Sequence, residues 1–245
     1  MTDDLTLLSL LKSGAHFGHQ KAKWHPKMAT FIFGVRNGVH IIDLEKTLQM
    51  LDGAKTYVTD LVARGGTLLF VGTKRQARTI VREQAERVGM PFIAERWLGG
   101  LLTNFEQIHR QIERLRELTT MSDQERRKYS KKEQLTLDRE RERLEKFFGG
   151  IQDLNKLPDA LFVVDAKEEN TAVREANVMR VPIVAIVDTN VNPELITKVI
   201  PANDDATRTI ALLTQIIADA VAAGIAQRQT VSPVPATAPA EVVPS

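Results

Sequence analysis

Ala160-Leu161-Phe162-Val163-Val164-Asp165 is apolar up to its last residue and stops on an acid, and Ile183-Val184-Ala185-Ile186-Val187-Asp188 repeats the pattern after a helical stretch near Thr171 to Met179. A strand with one wet face alternates apolar and polar residues. These runs do not alternate, so each must be covered on both faces. With a helix between them, they indicate a parallel sheet in an α/β layer architecture.

Reading outward extends the sheet. Thr67 to Val71 is a further buried strand ending at Gly72, and Lys74 to Val88 follows as a helix with Ala77, Ile80, Val81, Ala85 and Val88 inward. Lys198 to Ile200 is a short fourth strand, followed by Asn203-Asp204-Asp205 and a helix from Ala206 to about Ala223. Upstream, Leu44 to Val62 is an amphipathic helix, and Phe31 to Asp43 reads as a hairpin whose Asn37-Gly38 supplies the positive φ angles of a tight turn.

One segment breaks the rhythm. Phe105, Ile108, Ile112, Leu115 and Leu118 recur at helical spacing, and Leu137, Leu144, Phe148 and Ile151 do so after a polar break around Met121 to Lys132. Two narrow stripes flanked by charges of both signs predict an antiparallel coiled-coil hairpin, a projecting arm that buries little against the main core. The expected organisation is a discontinuous α/β domain over 1–104 and 149–225, the hairpin inserted over 105–148, and a disordered Pro/Ala-rich tail over 226–245.

Composition sets outer bounds. The 245 residues are 43% hydrophobic and 26% charged, with 33 Lys and Arg against 31 Asp and Glu, so any nucleic-acid binder here must concentrate its charge locally. The absence of cysteine removes disulfides, thiolate metal sites and a cysteine nucleophile, and fits a reducing compartment. The start lacks the basic n-region of a signal peptide, and the apolar runs are strand-length, so a cytoplasmic protein without a membrane span is expected.

Charge is concentrated at the N-terminus. His16-Phe17-Gly18-His19 is followed by Lys21, Lys23, Trp24, His25, Lys27 and Arg36, with no acid until Asp43. Cations with aromatics between them suit phosphates and stacked bases, against the plain alternative of a solvated loop. His16 and His19 read as parts of such a surface rather than as metal ligands. Gly72-Thr73-Lys74-Arg75-Gln76-Ala77-Arg78 joins a strand end to a helix start, where backbone N–H groups favour an anion, and Lys74, Arg75 and Arg78 add fixed charge. The glycines of a Walker A loop and of a dinucleotide fingerprint are missing. In Glu95-Arg96-Trp97-Leu98-Gly99-Gly100-Leu101-Leu102-Thr103-Asn104 the paired glycines serve a sharp junction before the hairpin, and Arg96 and Trp97 are within reach of RNA. Asp188, Asp204 and Asp205, with Asp165, lie just past strand ends, where an open α/β sheet gathers its ligands, and can hold a divalent cation, Mg or Zn, through oxygen. The alternative for these acids is capping and turn formation.

Together these motifs are recognisable. His16-Phe17-Gly18-His19, Trp24-His25-Pro26-Lys27-Met28, His40-Ile41-Ile42-Asp43-Leu44-Glu45-Lys46-Thr47, Arg96-Trp97-Leu98-Gly99-Gly100-Leu101-Leu102-Thr103-Asn104 and Val199-Ile200-Pro201-Ala202-Asn203-Asp204-Asp205-Ala206 resemble the bacterial and organellar family of small-subunit ribosomal protein two, in the same order over roughly residues 5 to 225. The resemblance implies a flavodoxin-like three-layer α/β domain with a protruding coiled-coil hairpin. It implies a structural, non-enzymatic ribosomal component that binds small-subunit ribosomal RNA, touches neighbouring proteins and helps recruit the largest, OB-repeat protein, which captures messenger RNA. On that reading Lys21, Lys23, Trp24, Lys27, Arg36, Lys74, Arg75, Arg78 and Arg96 contact RNA. The competing classes are a phosphate- or metal-dependent α/β enzyme built on the Asp188, Asp204, Asp205 crevice, and a coiled-coil adaptor, which leaves the N-terminal cations unexplained.

Overall fold

Five strands form one parallel sheet in a computed structural model that describes residues 6–231. In chain order they are β4 (Leu68–Val71), β5 (Phe92–Ile93), β6 (Ala160–Val164), β7 (Ile183–Val187) and β8 (Lys198–Pro201), arranged β5-β4-β6-β7-β8. The register sets Leu68 opposite Ala160, Leu161 opposite Ile183 and Val184 opposite Lys198. Numbered within the sheet, the order is 2-1-3-4-5, a doubly wound arrangement with its switch point between β4 and β6.

Alternate residues of these strands feed two cores. Phe70, Phe162, Val164 and Ile186 pack with α2 (Leu44–Ala63), α3 (Arg78–Arg87) and α8 (Thr207–Val231) on one face. Leu69, Val71, Leu161, Val163 and Ala185 pack on the other with α7 (Asn170–Met179) and part of α4 (Phe105–Thr120) and α6 (Lys131–Phe148). Both faces are dry, as continuous apolar strands require.

The second core runs on into the helical hairpin. Ile112, Leu115, Leu118, Leu144 and Phe148 belong to the same buried cluster as Leu69, Val71, Leu161 and Val163 of the sheet, while α4 and α6 also pack on each other. Most of the first half of α6 is exposed, and α5 (Asp123–Arg126) begins the turn between the two. Arg114 of α4 holds Glu140 of α6 at 3.2 Å. Gly149 and Gly150 then bring the chain against the free edge of β5, where a Cβ on Gly150 would lie 2.3 Å from the Phe92 carbonyl oxygen.

The N-terminal part folds as its own small sheet. α1 (Leu7–Ser13) precedes β1 (Phe17–Gln20), β2 (Ile32–Arg36) and β3 (Val39–Ile42), ordered β1-β3-β2 and antiparallel. The hairpin turns at Asn37 (φ 53°) and Gly38 (φ 77°), as the sequence predicts. Asp43 then caps α2 by accepting from the Glu45 N–H at 3.1 Å.

Helix α8 runs through Val231 instead of ending near Ala223, so the first residues expected in the tail are helical; 232–245 lie outside the described residues. By length and composition Thr207–Arg228 is apolar enough to cross a membrane, contrary to the expectation of strand-length runs only. Half of it is buried inside the protein, with Ile210, Leu213, Ile217 and Val221 in the core.

Candidate functional site

The C-terminal ends of β4, β6, β7 and β8 gather the carboxylates that the sequence places there. Asp188 and Asp204 are buried, Asp165 nearly so, and Asp205 is half exposed. Into them turns Lys74, its Nζ 2.8 Å from Asp165 Oδ2, 2.9 Å from Asp204 Oδ1 and 2.6 Å from Asp205 Oδ1. Burial works against the Lys74 charge, but Asp204, Asp165 and Asp205 outweigh it and hold its pKa above the usual lysine value. Burial, with Asp165 and Asp188 nearby, pushes Asp204 up to about 7 despite the ammonium. Among the described residues, Asp204 Oδ2 has no hydrogen-bond partner.

His19 joins this cluster, which sequence separation concealed. Its Nδ1 is 3.1 Å from Asp188 Oδ2 and its Nε2 3.7 Å from Asp205 Oδ2, and the hydrogen bond to Asp188 raises its pKa against the opposing effect of burial. His19, read from the sequence as part of an RNA-facing surface, turns its imidazole toward these acids, because β1 lies across the sheet's C-terminal edge. Its neighbour Gly18 allows the approach, since a Cβ there would be 2.6 Å from Thr189 Cγ2. The His19 N–H donates to Thr189 Oγ1 at 2.9 Å and the His25 N–H to the Thr189 carbonyl at 2.7 Å. Asp188 is corrected as well. One of its oxygens accepts from Thr189 and the other faces His19, so it orients the imidazole rather than offering a free ligand. The donor atoms that come together, within 4.8 Å of one another, are those of His19, Asp204 and Asp205.

The strand-to-helix loop is occupied from within. The Thr73 N–H, where an external anion was expected, donates to Glu169 Oε1 at 2.7 Å. Burial raises the pKa of that carboxyl. Lys74 is turned to the acids, and Arg78 pairs with Glu95 at 3.4 Å and donates to the Thr73 carbonyl at 3.2 Å. Both are read from the sequence as RNA contacts; here Lys74 is held by the crevice acids and Arg78 by Glu95 beyond β5. Only Arg75 of the three is exposed.

The basic cluster sits on the N-terminal sheet. Gln20 and Arg36 both face Val39 of the central strand, and the Lys21 N–H donates to the Gly38 carbonyl at 2.9 Å, so Lys21, Lys23 and Arg36 surround one hairpin tip. Among the described residues no ion pair engages Lys21, Lys23, Arg36, Arg75 or Arg96, all of them exposed. Lys27 is exposed but paired with Glu194. Trp24 is partly exposed with its ring 5.2 Å from that of the buried His40.

Glu175 is a buried anchoring residue that sequence reasoning passed over. Buried on α7, it accepts from Trp97 Nε1 (3.1 Å) and from the N–H groups of Gly100 (2.8 Å), Leu102 (3.0 Å) and Thr103 (3.3 Å). The Arg96-to-Asn104 loop is thus a cradle for one carboxylate, and Gly100, at φ 88°, turns its amide into it. Trp97 is buried there, while Arg96 is exposed. A groove of about 1110 Å³ lies apart from all this, between Gly65, Phe92, Glu145 and Arg228.

Residues 10–224 match the family model described as Ribosomal protein S2. Small ribosomal subunit protein uS2 of Thermobifida fusca is 49% identical over 95% of the chain and 80% of its own length. The proteins of the same name from Clavibacter michiganensis (50% identical, 97% of this chain, 76% of theirs) and Mycolicibacterium vanbaalenii (51%, 91% and 82%) are as similar.

Proposed function

The chain belongs to the ribosomal protein S2 family, and from that premise we propose that it is a component of the small ribosomal subunit that docks on ribosomal RNA through its N-terminal sheet. The family is structural and non-enzymatic. The observation that carries the docking reading is the exposed, unpaired cation cluster of Lys21, Lys23 and Arg36 at one hairpin tip, with Trp24 beside it, in a chain whose net charge is only +2. Charge held at one tip by a rigid sheet meets phosphates without reorganisation, and the aromatic offers a stacking face. Arg75 and Arg96 extend the same role, and Lys27 contributes after exchanging Glu194 for a phosphate.

The exposed part of α6, with α4 and α5, acts as a coiled-coil hairpin for contacts with neighbouring ribosomal proteins. The partly apolar surface of this hairpin, on which charges of both signs are interspersed, helps recruit the largest, OB-repeat protein of the subunit. The ribosome of a bacterial cytoplasm is the corresponding location. An enzyme in the sheet's crevice is disfavoured because the family to which the chain belongs is structural.

A divalent cation fits the His19, Asp204, Asp205 group. Asp204 Oδ2 is buried without a partner, and Asp188 holds His19 Nδ1 so that Nε2 faces the acids. One nitrogen and carboxylate oxygens suit Zn better than Mg, and the ion would tie β1 to the end of β8.

Sucrose-gradient sedimentation of a lysate tests the main reading. The protein is expected in the small-subunit fractions, and its absence from them would overturn the assignment. Binding to small-subunit RNA should also weaken steeply with salt, and a flat response would remove phosphate docking.

A further inference from the structure

We propose that Lys74 is the resident occupant of the cation position, and that a divalent cation entering between His19, Asp204 and Asp205 displaces its ammonium outward. Lys74 then joins Arg75 on the exposed surface. This rests on the cation reading above and adds a consequence for the RNA face: occupancy of one site changes the charge offered at another.

Two of the three acids that hold Lys74 are the acids of the cation group. Lys74 Nζ touches Asp204 Oδ1 and Asp205 Oδ1, while His19 Nε2 approaches Asp205 Oδ2, so ammonium and imidazole already divide the Asp205 carboxylate between them. A dication bound to the same carboxylates would stand next to the ammonium in a site of low dielectric, and like charges at that separation repel strongly. One of the two must leave.

Lys74 is built to be the one that leaves. Its charge rides on a flexible four-carbon stem and is readily rehydrated. The loop around it is anchored without it, by Thr73 N–H to Glu169 and by Arg78 to the Thr73 carbonyl, so the side chain can turn while the backbone stays in place. Four carboxylates, Asp165, Asp188, Asp204 and Asp205, face one ammonium and one imidazole, and Asp204 Oδ2 still lacks a partner. A dication carries twice the charge of the ammonium and competes with it for the same Asp204 and Asp205 carboxylates. The plain alternative is a permanent structural counter-ion, whose loss would leave buried acids unpaired.

Calorimetric titration of the full chain with zinc chloride separates the two. In K74Q, zinc affinity is expected to rise about tenfold or more over the unsubstituted protein, because no ammonium has to be displaced. H19A is expected to lose that binding, which identifies the site. In the unsubstituted protein, acetylation of Lys74 by an N-hydroxysuccinimide ester, read by peptide mass spectrometry, is expected to increase severalfold on adding zinc, while Lys55 serves as an unchanged reference. This second measurement stands even if K74Q folds poorly. Zinc bound at the His19 site, with Lys74 acetylation unchanged or K74Q affinity unaltered, would overturn the displacement and leave the cation reading intact. No zinc binding to either form would overturn both.

Discussion

The indole Nε1 of Trp97 donates a 3.1 Å hydrogen bond to the buried carboxylate of Glu175, locking the loop before α4 to the flank of α7. The same carboxylate accepts from the N–H groups of Gly100, Leu102 and Thr103. The hairpin helices start immediately after this loop, so their direction is set by where Glu175 stands.

Replacing Glu175 by Gln is therefore expected to cost about 2–4 kcal/mol, since a charged acceptor is lost and an amide NH₂ is placed among N–H donors. Urea unfolding should show a lower midpoint with an unchanged slope.

The same carboxylate gives an acid dependence. Burial raises its pKa, but the amides of Gly100, Leu102 and Thr103 and the Trp97 indole outweigh burial and hold it below the ordinary 4.5. A group depressed in the folded state contributes stability that is present above its unfolded pKa and lost as pH falls through the folded value. Thermal midpoints should thus fall on acidification below about pH 4.5 more steeply in the unsubstituted protein than in E175Q.

Gly18→Ala places a methyl 2.6 Å from Thr189 Cγ2 and 3.0 Å from its hydroxyl. The N-terminal sheet must shift from its seat, at about 1–3 kcal/mol. Limited proteolysis should cut the basic segment faster, whereas G99A, with open space at its Cβ, should leave the digestion pattern unchanged.

Reversing Lys21, Lys23 and Arg36 to Glu should leave stability within about 0.5 kcal/mol, because all three are exposed and unpaired. Binding to small-subunit RNA should weaken, and its salt slope should shrink by roughly one per cation removed. An unchanged slope would take these residues off the docking surface.

What could be read without coordinates followed from local pattern. Strands β6 and β7 were bounded correctly because a continuous apolar run has few other uses, and Asn37-Gly38 fixed its turn by backbone chemistry alone. β1 was not legible: Phe17-Gly18-His19-Gln20 has no strand pattern of its own and exists through pairing with β3. β5 has only two residues. A narrow stripe likewise does not reveal whether it faces a second helix or a sheet, and the α4 stripe joins a cluster that contains both.

At the site, the acids at the strand ends were visible and their company was not. Lys74 follows β4 just as Asp165 follows β6, so a parallel sheet puts both at one edge, and their opposite signs were the available clue. Glu175 also left a trace: it stands three positions after Ala172, on the inward face of α7, where an unpartnered carboxylate does not survive.

The seat of His19 on Thr189 spans 170 positions of sequence. During synthesis the basic segment leaves the translating ribosome first, and the residues that receive it are made near the end. A chain arrested before Asp188 would have β1 paired only with β3 and without its seat on Thr189, so the basic segment gains its full anchorage only after about three quarters of the chain has been made.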